Sequence, residues 1–214
     1  MTKTIFKVLF LATGLTTAKA QNIKDFYIPD LTLYNGAMWY SINGKGERVD
    51  LIDEFYYADN KDGTFKVIDI RGGTSDPTAA SIKTVKFTKT QVLLIEEEVT
   101  GILKARNKTR YSPPYKTLLE MPNNGQTITW TDENEHGETT KYTISWTTVK
   151  VEGLTKRALK LVEEPSNGIF FKAQVSYYAE GIGIMKEDII GADNKLFTLR
   201  KFDTLFYNRN FKNR

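Results

Sequence analysis

Apolar and polar residues alternate along most of this chain with a period of two, the spacing of a strand with one buried face. Phe65-Lys66-Val67-Ile68-Asp69-Ile70 and Ser81-Ile82-Lys83-Thr84-Val85-Lys86-Phe87 are short and rich in β-branched residues. Lys141-Tyr142-Thr143-Ile144-Ser145-Trp146 places Tyr142, Ile144 and Trp146 on one face, and Ala173, Val175, Tyr177 and Ala179 form a similar row. Dipeptides that favour positive φ recur between these runs: Asn43-Gly44, Asp62-Gly63, Gly72-Gly73, Asn124-Gly125, His136-Gly137 and Asn167-Gly168, with Gly191-Ala192-Asp193-Asn194 further on. Such dipeptides suit tight hairpins. The pattern predicts an all-β protein, a single antiparallel meander curled into a half-barrel, barrel or sandwich, with at most one or two short helices. Over Val49–Tyr57 a helix and a strand fit equally well, because Val49, Ile52 and Tyr56 would share a helical face.

The first twenty residues break the alternation. Lys3 and Lys7 precede an apolar stretch, Val8 to Leu15, and Ala18-Lys19-Ala20 ends it as A-x-A. This is the order of a cleavable secretory signal peptide. The apolar stretch is far shorter than the roughly 20 residues that cross a bilayer, so residues 1–20 are read as a leader and not as a transmembrane segment. No cysteine follows to carry a lipid anchor. Residues 21–214 are then one β-rich domain, periplasmic or extracellular, with an internal division near 111–115 where Pro113 and Pro114 bar a central strand.

Removing the leader changes the charge. The chain has 30 basic and 26 acidic residues, and three of the lysines lie within residues 1–20, which leaves a net +1. A near-neutral domain lacks the charge excess that nucleic-acid binding draws on, so no nucleic-acid partner is expected. The remaining imbalance is local: residues 195–214 hold six basic residues and only Asp203. That basic, aromatic end reads as a last strand and a solvated terminus. Cysteine is absent, which excludes thiol nucleophiles, thiolate metal sites and disulfides. Stability has to come from burial.

Candidate chemistry is sparse. The only histidine, His136, falls in a turn sequence, and neither G-x-S-x-G nor H-E-x-x-H occurs. Asp59-Asn60-Lys61-Asp62-Gly63 resembles a calcium loop but has Ala58 where that loop needs an acid, so a hairpin turn is the simpler reading. Glu96-Glu97-Glu98 on a strand puts Glu96 and Glu98 on one face about 7 Å apart, a spacing open to a carboxylate-dependent hydrolase. No catalytic, cofactor or metal site is read from these residues.

Aromatic residues carry more. Adjacent rings in strands, such as Trp39-Tyr40, Phe55-Tyr56-Tyr57 and Tyr177-Tyr178, put one ring on each face, more than a one-sided core requires. Trp39, Tyr57, Trp130, Trp146 and Tyr177 are the candidate ligand-binding residues, for an apolar small molecule inside a curled sheet or for a glycan stacked on a surface ring.

Two motifs carry a family likeness. Met121-Pro122-Asn123-Asn124-Gly125-Gln126-Thr127-Ile128-Thr129-Trp130 and Tyr177-Tyr178-Ala179-Glu180-Gly181-Ile182-Gly183-Ile184-Met185-Lys186 resemble a pattern in exported proteins of unknown function from Bacteroidota. The resemblance spans about residues 118–186. It implies an antiparallel β-domain similar to the LolA-like half-barrels of periplasmic lipoprotein carriers, and it brings no catalytic residues. The reading it leaves is an exported, non-enzymatic β-domain binding a lipid-like ligand. A surface carbohydrate- or protein-binding domain and a carboxylate hydrolase stand as the alternatives.

Overall fold

The computed structural model describes residues 21–29, 37–42, 47–71, 79–100, 106–134, 137–151, 153–168 and 171–202. The leader, Asn43-Gly44, Gly72-Gly73 and His136 lie outside the described residues.

The described chain is almost all strand: β1 (Ala37–Ile42), β2 (Arg48–Asp59), β3 (Thr64–Arg71), β4 (Ala79–Phe87), β5 (Gln91–Thr100), β6 (Arg106–Arg110), β7 (Lys116–Glu120), β8 (Thr127–Glu133), β9 (Thr139–Val151), β10 (Leu154–Pro165), β11 (Ala173–Ala179), β12 (Gly183–Ile190) and β13 (Leu196–Phe202). They form one antiparallel sheet in the order β6-β5-β4-β3-β2-β1-β13-β12-β11-β10-β9-β8, with β7 paired to β5 off that path. The expected antiparallel meander is what forms, and it does not close into a barrel. Val49–Tyr57 resolves as strand, because β2 ladders with β1 on one side and β3 on the other.

Tyr111–Tyr115 interrupts one edge of this sheet. β6 pairs with Glu96–Thr100 of β5 and β7 with Gln91–Leu94, so the proline segment separates two strands that share one neighbour. Asp59–Gly63 is the β2–β3 hairpin turn. Asp59 Oδ1 accepts the Lys61 N–H at 2.8 Å, and Asp62 Oδ1 accepts both the N–H and the hydroxyl of Thr64. These bonds hold both carboxyls below the usual carboxylate range. Their acceptor capacity goes into the turn.

One helical turn, α1 (Lys24–Tyr27), precedes the strands. Alternation does not announce it, and four residues are too few for helical periodicity. Docking holds it. Ile23 N–H donates to Lys89 O at the β4–β5 turn, and Gly181 N–H donates to Asp25 O from the β11–β12 turn. Phe26 and Trp146 of β9 meet edge to face with ring centres 5.4 Å apart, and Tyr27 contacts both Phe87 of β4 and Tyr178 of β11. One short segment therefore touches both halves of the sheet, which curls around it. Ile23 and Phe26 are fully buried with Val85, Val92, Leu119, Leu159 and Met185.

Gly183 is where this docking demands glycine. Its φ is +79°, and a Cβ would stand 3.0 Å from Tyr27 O. A side chain there meets backbone that cannot step aside. The Tyr177–Lys186 motif thus has a physical purpose: Tyr178 stacks on Tyr27 at 5.8 Å, Gly181 hydrogen-bonds α1, and Gly183 admits it.

Candidate functional site

The concave face changes character along its strands. From the α1 end, β10 presents Leu159, Leu161 and then Glu163, while β11 presents Tyr178, Ser176 and Gln174 in ladder with them. β3 runs Phe65, Val67, Asp69 and β4 runs Val85, Lys83, Ser81, again in matched register. β5 keeps Val92 and Leu94 inward and, after a bulge at the Thr84/Val85 register shift, turns Glu97 inward beside Lys83. Apolar side chains fill the α1 end, and polar ones line the rest.

Two compartments open in that polar region. One, about 220 Å³, is bounded by Phe55, Tyr57, Asp69, Lys83, Glu163 and Glu187 among others. The second, about 210 Å³, includes Leu94, Glu97, Lys116, Tyr142 and Leu161. Both are lined by Tyr27, Lys83, Glu163 and Tyr178, so they adjoin. Together their linings combine rings (Tyr27, Phe55, Tyr57, Tyr142 and Tyr178) with charged side chains.

Electrostatics there is tense. Burial, reinforced by Glu187, holds the Glu163 carboxyl above its usual range, against the lowering influence of Lys83 and Lys116. Glu187 is 3% exposed and accepts hydrogen bonds from Ser176 Oγ at 3.2 Å and Gln174 Nε2 at 3.4 Å. Lys83 Nζ lies 3.6 Å from Glu97. Tyr142, mainly by burial and further by Glu163 and Asp132, is pushed up to about 12. Tyr142 therefore remains neutral, and its hydroxyl keeps a proton to donate at physiological pH.

The five candidate residues separate. Tyr57 lines the larger compartment. Trp130 stacks on Tyr142 at 5.1 Å, near the smaller one. Trp146 serves the packed end, where its Nε1 donates to Pro122 O at 2.9 Å and the Arg157 guanidinium covers its ring at 3.8 Å. Tyr177 faces opposite to Tyr178, with Lys186 Nζ 5.4 Å above its ring. Trp39 sits in β1 opposite Phe202 and Asp53, and its side chain lies outside the described residues. With Trp130 stacked and Trp146 covered, neither offers a free platform for a sugar.

Inward Glu97 leaves Glu96 and Glu98 on the outer face, where Glu96 pairs with Lys108 at 2.9 Å. The acid pair considered for hydrolysis does not face the interior. Among the described residues no group of His, Asp or Glu is arranged to hold a metal, and no helix is long and apolar enough to cross a membrane.

Sequence reading missed Tyr27, Lys83, Glu163 and Glu187. A signal for Glu163 existed: it continues the inward row Leu159, Leu161 on a strand whose alternation is otherwise clean. Comparisons with protein-family models, with curated proteins and with solved structures find no match.

Proposed function

We propose that this protein is an exported, non-enzymatic binding domain that holds a lipid-like amphiphile against the concave face of its sheet. The observation that carries the reading is the pair of adjoining compartments, in which Tyr27, Phe55, Tyr57 and Tyr178 stand beside Lys83, Glu163, Gln174 and Ser176. Ligand sites pair a ring-rich wall with a few placed polar groups in this way. The lining narrows the ligand from a wholly apolar molecule to one with a polar end, since a bare alkyl chain would strip water from Lys83 and Glu163 and offer no hydrogen bond in return. The leader at residues 1–20 and the resemblance to exported Bacteroidota proteins support the same reading.

Native mass spectrometry of mature protein, purified from an exporting host without detergent, tests it. The expected spectrum carries an extractable amphiphile, and Tyr57→Ala lowers its occupancy several-fold. A ligand-free spectrum, with no uptake of a fluorescent amphiphile such as N-phenyl-1-naphthylamine, would overturn it.

A further inference from the structure

The open joint of the sheet lies where a closed one would be easiest. β7 and β8 follow each other in sequence and are joined only by Met121–Gln126, yet they share no ladder. Connections this short normally close a hairpin. Pro122 is buried in the turn, and its carbonyl is tied to Trp146 Nε1, which fixes the turn to β9.

The two edges stand apart by more than a ladder spacing. Facing Cβ atoms in a paired ladder lie about 4.5–5.5 Å from each other. Here the side chains of Lys116 and Asp132 reach across the gap and still leave 3.9 Å between Nζ and Oδ2. The cleft between them measures about 620 Å³, with Thr109, Tyr111, Tyr115 and Lys116 on one bank and Asp132 and Glu133 on the other. On β8, Asp132 faces this cleft with Lys116 as its ion-pair partner, at a separation too long for a hydrogen bond.

We propose that the seam between β7 and β8 is a strand-acceptor site that takes an extended peptide segment bearing a lysine or arginine. Among the described residues β8 ends the main path of the sheet with one side unladdered, and that side supplies main-chain donors and acceptors, the means by which an edge strand captures an extended chain. β7 and β8 run in opposite directions, so the guest lies antiparallel to one and parallel to the other. Charge selects its side chain. Asp132 and Glu133 outnumber Lys116 in the cleft, and a guest cation competes with Lys116 for Asp132. The inference is independent of any ligand in the interior.

Hydrogen exchange on the mature chain tests this directly. The probe is an equimolar pool of nine-residue peptides alternating Thr and Val, with one Lys or Arg stepped through each position. The expected result is at least tenfold slower exchange of those Thr127–Glu133 amides that point away from β9, every second one in the ladder, with the β10 and β11 amides unchanged. Glu in place of the basic residue should weaken the effect tenfold or more, and so should Asp132→Asn combined with Glu133→Gln. Unchanged exchange in β8 at millimolar peptide would overturn the proposal. Two further results would do the same: protection without peptide that rises with protein concentration, which places a second copy in the seam, and protection without peptide that is independent of concentration, which means a strand of the same chain fills it.

Discussion

The two ends of the concave face are built on the same strands and hold opposite chemistry. At the α1 end Phe26, Val85, Leu119, Leu159 and Met185 exclude water entirely. Two or three residues further along β4, β5, β10 and β11, the same inward rows present Lys83, Glu97, Glu163 and Ser176. The difference teaches that the dry core and the polar lining are divided along the strands and not between layers. The packed end supplies the burial that a chain without disulfides needs, and this frees the other end to carry polar groups that a core would reject.

Substitutions at the packed end should have the largest effects. Phe26→Ala removes the ring that joins α1 to Trp146 and should cost about 4 kcal/mol, read as a lower urea midpoint. Gly183→Ala should cost about 2 kcal/mol, since it combines a positive-φ strain with a Cβ against Tyr27 O. A Gly183→Ala chain as stable as the parent would show that α1 does not hold the sheet in its curve.

At the polar end the effects shrink and one reverses sign. Ser176→Ala takes a donor from buried Glu187 and should cost about 1 kcal/mol by the same measurement. Glu163→Gln should stabilise the protein at neutral pH. The folded carboxyl titrates above its unfolded value, so the folded state binds the extra proton and stability falls as pH rises through that window. The variant's melting temperature should therefore exceed the parent's at pH 7 and approach it below the unfolded carboxylate range. A variant that melts lower at pH 7 would mean that Glu163 is held by favourable contacts and not merely tolerated. The smallest effect belongs to the solvated Asp193–Lys195 pair at 2.8 Å, both side chains half or more exposed. Asp193→Asn should leave the melting temperature unchanged within error.

Much of the sheet was legible in the sequence, because a period of two with turn dipeptides between runs has few other solutions. Tyr142, Ile144 and Trp146 share a face as the alternation requires, and Asp62-Gly63 makes its hairpin. α1 was not legible: Ile23, Phe26, Tyr27 and Ile28 are a short apolar cluster whose shape is imposed by the turns that dock on it. The polar interior was hidden by the habit of assigning charged residues outward, which Lys83, Glu97 and Glu163 each break. The seam was hidden more deeply. Asn124-Gly125 signals a hairpin, and the turn does form, with Gly125 at φ +75°, but a turn dipeptide carries no information on whether its strands then meet.

One joint of the sheet has a consequence for the order in which the molecule assembles. Every ladder but one on the main path connects strands that are neighbours in sequence, so each can form as a local hairpin. The exception is β1 with β13, which brings Trp39 opposite Phe202. Closing a loop of that length carries the largest entropic cost of any ladder in the fold, and such long-range pairings slow a chain's folding. The two meanders on either side of it can each be built from local hairpins, whereas the β1–β13 ladder is expected to form only once both are in place.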